Sequence, residues 1–341
     1  MSLMNLHPSN LTSSTNIAFC RALFSGGLLA SKHVVFITVL CVVNALSSVV
    51  ASTANALVLW AVKKTPSLHN PSSALLCVLA SMDLTVGVLI QPLSIISFIG
   101  LLADNYPVYC IAGTIEYPLG MALGGSSFVT VAAISFDRYL ALALHMRYAE
   151  IVTISRVLKC ILPTTAFFLI LAILGFWFAA EDWFRNTVTA VCLLIIACYI
   201  FVIPFAYYRI FAILRRHKKQ IHDQTVLATR AQGCPRINIS KYRRSVSAIL
   251  YLLWVIILSY FPCAITIMIV WRRYTDSTKF VLRFTWAMVL LNSSINPLVY
   301  CWRIKQIRRF VVLKLRRVFR AICLLDGTVD IMQVQEVSNC K

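Results

Sequence analysis

Long apolar runs separated by short polar breaks dominate this chain, and seven of them have the length of membrane-crossing helices. They are roughly Val34–Val62 (span 1), Ser72–Leu101 (span 2), Val108–Leu144 (span 3), Val157–Ala180 (span 4), Val188–Leu214 (span 5), Val246–Trp271 (span 6) and Phe280–Trp302 (span 7). About 20 apolar residues, each rising about 1.5 Å, cross about 30 Å of hydrocarbon. Segments such as Lys63-Lys64-Thr65-Pro66 and Ala103-Asp104-Asn105-Tyr106-Pro107 mark the breaks. The alternating ten-residue segments of a membrane barrel do not occur. The pattern predicts an all-α, integral membrane, seven-transmembrane helix bundle. It divides the chain into a tail over 1–33, a bundle over 34–302 and a cytoplasmic region over 303–341.

Composition agrees. Of the 341 residues, 60% are hydrophobic and 13% charged, against about 45–50% and 25% in soluble domains, and the mean hydropathy is +0.80. Too little polar surface remains to coat a water-soluble particle of this size. The net charge of +20 would suit a nucleic-acid binder, but its placement argues for topology instead. The segments after spans 1, 3 and 5, with the C-terminal region, hold 25 of the 32 Lys and Arg. By the positive-inside tendency that side is cytoplasmic and the N-terminus is outside. No cleavable signal peptide is legible in residues 1–31, so span 1 is expected to serve as the insertion signal. Asn10-Leu11-Thr12 is a glycosylation sequon on the outer side. Most of the twelve cysteines lie in apolar runs, where a thiol behaves as a small hydrophobe. Cys20, Cys110 and Cys192 are the ones an oxidising exterior could reach.

Polar groups within the hydrocarbon are costly and are functional candidates by default. Asp83, near the middle of span 2, is the clearest. Asn55 in span 1, Ser127 in span 3, and Asn292, Ser293 and Asn296 in span 7 lie at depths that could face it. Carboxylate, amide and hydroxyl oxygens suit a hard cation; the same groups also serve as interhelical glue. Span 3 ends with Asp137-Arg138-Tyr139, and span 7 with Asn296-Pro297-Leu298-Val299-Tyr300. Pro204, Pro262 and Pro297 each remove a backbone hydrogen bond and kink their helices.

Through Asn55, Leu79 with Asp83, Asp137-Arg138-Tyr139, Pro204, Pro262 and Asn296-Pro297-Leu298-Val299-Tyr300, residues 34–320 resemble the rhodopsin-like G-protein-coupled receptors. The resemblance implies a plasma-membrane receptor, not an enzyme, whose partners are a heterotrimeric G protein and an extracellular small-molecule, lipid or peptide ligand. It implies no cofactor beyond an allosteric sodium ion on Asp83, Ser127, Asn292 and Ser293. Arg138 becomes the G-protein-facing arginine, paired at rest with Asp137 beside Tyr139, while Asn296, Pro297 and Tyr300 form an activation switch. Trp302–Arg320 becomes an amphipathic eighth helix on the inner leaflet. Its apolar Ile304, Ile307, Phe310 and Val311 interleave with Lys305, Arg308 and Arg309, as an interfacial helix requires. Cys323 beyond it is a candidate palmitoyl acceptor.

Several positions depart from the family. Counted from Pro262, Tyr260 stands where span 6 usually carries a tryptophan, and Ala212 replaces the usual span-5 tyrosine. Lys241-Tyr242-Arg243-Arg244 at the base of span 6 has no acidic partner for Arg138, which predicts a weakly latched resting state and raised basal signalling. The loop Ala179–Thr187 has no cysteine, so a disulfide from Cys110 would have to reach Cys20 or Cys192. The cysteine-free loop resembles melanocortin and cannabinoid receptors, and Leu144-His145-Met146-Arg147-Tyr148 with Ile151-Val152-Thr153 resembles adenosine and melanocortin receptors. Neither assigns a subfamily.

In such receptors the ligand lies in the outer half of the bundle. Gly120 stands at the amine-binding aspartate position and Leu290 at the opsin lysine position, which disfavours both ligand classes. Gly120, Gly124 and Gly125 leave room on span 3, either for a bulky ligand or for close helix contact. Glu116 and Arg283 are the charges nearest the mouth; they pair with each other or meet a ligand's opposite charge. Met121, Cys263, Ile267 and Trp286 make the remaining lining apolar. The basic third loop either attracts anionic membrane lipids or borders the partner cleft. The tail has few hydroxyls (Thr328, Ser338), which predicts weak arrestin capture. A secondary transporter is the rival class, but no internal repeat is visible between the two halves.

Overall fold

The computed structural model describes residues 33–144, 147–178, 187, 254–255, 257–270 and 275–325. Span 5, Asn10, Cys20, Cys192, Pro204, the third loop and the tail beyond Leu325 lie outside the described residues. Among those described, every regular element is helical. Span 1 is Val34–Lys64, span 2 runs Pro71–Leu102, span 3 is Tyr106–Ala143, span 4 is Ile154–Phe178 and span 7 is Asp276–Arg303. The described part of span 6 includes the helical segment Ile257–Val270. Four of these are long and apolar enough to cross a bilayer: spans 1, 2, 3 and 4. Span 7 carries Asp276, Lys279, Arg283 and its polar inner half at the cost of hydropathy.

The ends follow from local chemistry. Asn70 caps span 2 by accepting the Ser73 N–H at 3.0 Å, with Pro71 at the first helical position. Asp104 takes the left-handed turn between spans 2 and 3 (φ 50°), a conformation Asp and Asn tolerate, and Asn105 caps span 3. Thr275 and Thr278 form a reciprocal capping box for span 7.

Span 2 carries a feature the apolar pattern does not announce, a π turn over Val86–Ile90. Gln91 N–H bonds back five residues to the Val86 carbonyl. The next donor in that register is Pro92, which has no N–H, so the Gly87 carbonyl is left over. Ser48 of span 1 takes it at 2.7 Å. Gly87 lets the helices meet there, since a Cβ would lie 2.8 Å from Ser52 Oγ and 2.9 Å from Ser52 N.

Span 3 packs against spans 2 and 4, and span 1 against spans 2 and 7. The burial pattern is inverted relative to a soluble protein. Asp83, Asn55 and Asn296 are at most 2% exposed, whereas Val35 is 78% and Leu46 65% exposed. Polar groups face inward and apolar ones outward, as hydrocarbon solvent requires. The eighth helix starts later than the sequence suggests. Trp302 and Arg303 finish span 7, Ile304 is extended, and the amphipathic helix is Lys305–Leu325. Ile307 is its fully buried anchor, and Lys314 Nζ lies 4.0 Å from the Trp60 ring centroid.

Candidate functional site

At mid-membrane, spans 1, 2 and 7 converge on Asp83. Asn296 Nδ2 donates to its Oδ2 at 2.8 Å, and the Ser293 hydroxyl lies alongside. Pro297 leaves the Ser293 carbonyl without its helical donor, and Asn55 Nδ2 supplies one at 3.1 Å. Asn292 borders the hydroxyl of Tyr260, which stacks on Phe128 at 5.6 Å. Tyr300 is fully buried near the same carboxylate. Ser127 departs from expectation: its hydroxyl points to the Met82 sulfur at 3.7 Å. Asp83, Ser293 and Asn292, whose Oδ1 has no partner among the described residues, form an oxygen set fit for a hard monovalent cation. Ser127 is outside that set.

At the inner end of span 3, Asp137 is almost fully buried and its carboxylate is saturated. It accepts from Arg138 Nη2 at 2.6 Å and Nε at 3.0 Å, from Ser72 Oγ at 2.7 Å and from the Tyr148 hydroxyl at 2.5 Å. Among the described residues this is the single ion pair. Tyr139 lies partly buried with its ring 6.0 Å from Phe136. The short helix Tyr148–Ile151 thus fastens the second inner loop to the Asp137–Arg138 pair. The sequence reading missed both Ser72 and Tyr148.

Two features stand out in the outer half. Glu116 and Arg283 form no direct ion pair, although the Arg283 charge still acts on the Glu116 carboxylate. Glu116 Oε1 accepts the Trp286 indole N–H at 2.7 Å, with the Ser94 hydroxyl beside it. Arg283 Nη2 donates to the Tyr109 hydroxyl at 2.8 Å. The glycines of span 3, moreover, are filled by rings of this chain. A Cβ would lie 2.6 Å from Trp286 at Gly120, 3.2 Å from Tyr260 at Gly124 and 2.6 Å from Phe168 at Gly125. Cys263 and Trp286 are buried in one apolar cluster, against which Met121 and Ile267 pack. Trp254 is 60% exposed and faces outward. Cys110 is disulfide-bonded, and its partner is none of the free cysteines 41, 77, 160, 263 and 301. Pro262 sits in the helical part of span 6, and its carbonyl accepts from Thr266 at 2.7 Å.

A helical bundle with apolar side chains outward, a polar seam at mid-depth and a carboxylate–guanidinium pair at one end is that of a polytopic membrane protein. The 7 transmembrane receptor (rhodopsin family) pattern matches residues 54–300, and the chain belongs to that family. It is 33% identical over 133 residues to an adenosine receptor A3 of Canis lupus familiaris, covering 39% of this chain and 40% of that one. It is 35% identical over 115 residues to the receptor of the same name from Bos taurus, covering 34% and 35%. The chain therefore spans two fifths or less of the length of the curated relatives it matches.

Proposed function

We propose that the chain is a plasma-membrane receptor, N-terminus outside and C-terminus inside, that binds an extracellular ligand and activates a heterotrimeric G protein. The observation that supports it most is the Asp137 cluster, where a buried carboxylate holds Arg138 together with Ser72 of span 2 and Tyr148 of the second inner loop. Four charge-assisted or short hydrogen bonds converge on one acceptor, so freeing Arg138 requires a concerted rearrangement of spans 2 and 3 and that loop. This is the property of a two-state latch.

The inner end of span 6 is the element that swings. Tyr260 couples it to the seam, since its ring touches Phe128 of span 3 and its hydroxyl meets Asn292 of span 7. A ligand drives the change only through tighter binding to one arrangement than the other. Asp83, Ser293 and Asn292 would hold a sodium ion, which neutralises the carboxylate when bound. Inward movement of Asn296 and Tyr300 changes the polar contacts of Asp83. The basic base of span 6 supplies no acidic partner to Arg138, which supports measurable basal activity.

The test is a panel of G-protein activation sensors in cells expressing the chain, with a ligand panel that includes adenosine and related nucleosides. Activation above mock-transfected cells that Arg138→Ala abolishes supports the reading. Solute flux into vesicles with silence from every sensor would replace it with the transporter reading.

A further inference from the structure

We propose that the crook between the inner end of span 1 and the helix Lys305–Leu325 binds one membrane lipid whose headgroup carries a phosphomonoester, with Lys64 and Lys314 as its cationic contacts. The proposal goes beyond the receptor reading and needs only that both segments lie at a membrane surface.

The first observation is how firmly this corner is held. Gln306 Nε2 donates to Ser67 Oγ of the loop after span 1 at 3.2 Å, Ile307 is fully buried, and the Phe310 ring meets Trp60 edge-on at 5.6 Å. One turn further, Lys314 sets its ammonium 4.0 Å from the Trp60 ring centroid and 5.9 Å from that of Phe310. Ile307, Phe310 and Lys314 follow the three-and-four spacing of one helix face. Trp60 is 41% exposed on the outward side of span 1, about one turn before the helix ends at Lys64. That is the depth at which interfacial tryptophans sit. Lys64, four residues after Trp60 and exposed, rises from the same face. Two ammonium groups thus flank one indole.

The second observation is the missing counter-charge. Residues 60–72 and 303–325 contain no Asp or Glu, while Lys305–Leu325 alone carries seven Lys and Arg. Among the described residues the single ion pair is Asp137–Arg138, so neither Lys64 nor Lys314 meets a carboxylate there. The ring face offsets part of this for Lys314 and nothing for Lys64. A lysine on an unattached amphipathic helix would carry its ammonium out to water. Packing at Ile307 and Phe310 instead keeps Lys314 against the lipid-facing side of span 1.

Charge then selects the headgroup. An ammonium is a compact point charge with three donors and no acceptor. A phosphomonoester brings about 1.5–2 negative charges and three acceptor oxygens, enough for both lysines at once. A phosphodiester brings a single charge, and a zwitterionic headgroup has no net charge to give. The acyl chains of such a lipid have an exposed stripe to lie on, which continues from Trp60 through Ala56, Thr53 and Val49 at helical spacing.

The test uses the full chain in detergent micelles and counts retained lipid by native mass spectrometry. The probes are phosphatidic acid and phosphatidylinositol 4,5-bisphosphate, with phosphatidylglycerol as the anionic phosphodiester. At least one phosphomonoester lipid should be retained, one molecule per chain, with a midpoint concentration at least tenfold below that of phosphatidylglycerol. Lys64→Gln with Lys314→Gln should raise this midpoint about 25-fold, at about fivefold for each lysine near an anionic headgroup. Lys64→Gln alone, which breaks no packing contact, should account for about fivefold even where the double variant proves unstable. Arg309→Gln with Arg316→Gln removes equal charge from the helix face turned away from Trp60 and should change the midpoint by less than about threefold. Failure to retain either phosphomonoester lipid, equal midpoints for all three probes, or equal losses in the two double variants would overturn the proposal. No G protein takes part in this measurement, so failure of coupling and failure of the site are read separately.

Discussion

Gly120→Ala places a methyl carbon 2.6 Å from Cζ2 and 2.9 Å from Cη2 of Trp286. Carbon atoms settle at about 3.5–4.0 Å, so the indole must retreat by about 1 Å. It has little room, because it is buried and lies 4.8 Å from the Tyr117 ring. Retreat also stretches the 2.7 Å bond to Glu116. Overpacking of this kind costs about 1–3 kcal/mol, and a hydrogen bond to a charged group contributes about 1.5–3 kcal/mol. Gly120→Ala should therefore lower stability by about 2–5 kcal/mol. Trp286→Phe removes the same hydrogen bond and also the ring atoms that collide, so the extra methyl then fits. The double variant should be no less stable than Trp286→Phe alone, so the coupling energy equals the whole cost of Gly120→Ala, about 2–5 kcal/mol. Chemical denaturation of the four proteins in one detergent measures it. Additivity within about 0.5 kcal/mol would mean that Gly120 does not exist to seat the indole.

Three further outcomes follow from contacts elsewhere in the bundle. Asn55→Ala uncovers the Ser293 carbonyl and should cost about 1–3 kcal/mol; in the Pro297→Ala background, where a backbone N–H returns, thermal melts should show the cost reduced. Tyr148 is held above the ordinary tyrosine range by burial and then by its bond to Asp137. Because its folded value is the higher one, its contribution is complete below about pH 10 and fades as pH rises through that value. Melting curves between neutral and alkaline pH should therefore show wild type losing its advantage over Tyr148→Phe. Phe310→Ala removes the edge contact with Trp60 at 5.6 Å and should loosen the helix Lys305–Leu325, read as faster proteolysis after its basic residues with the bundle intact.

The spans were legible because hydrocarbon imposes one demand, long runs of apolar residues, and composition reports it directly. Depth was legible too: Asn296 meets Asp83 and Asn55 meets the Ser293 carbonyl because each lies at a similar distance from the inner end of its span. What escaped was azimuth. Ser127 is at the right depth yet faces Met82, and Glu116 and Arg283 are at neighbouring depths yet turn to separate aromatic partners. Apolar periodicity is a poor guide to facing in a helix whose outer side is as apolar as its inner one. A sharper signal was present in the small polar residues. Asn44 with Ser47, and Gln91 with Ser94 and Ser97, recur every three residues and mark the inward stripe. The π turn at Val86–Ile90 was not legible from hydropathy; Gly87 and Pro92 flanking its centre were the available cue. The late start of the eighth helix reflects a single extended residue, Ile304, a boundary no composition argument fixes.

Guanine-nucleotide loading of purified heterotrimeric G proteins by the purified chain in nanodiscs reads the output of the Asp137–Arg138 pair. Wild type should accelerate loading of at least one G-protein class without added ligand, and Arg138→Ala should return the rate to that of empty nanodiscs. Loading that never exceeds the empty-disc rate for any class, or that survives Arg138→Ala unchanged, would contradict the claim that the Asp137–Arg138 latch is the output of this bundle.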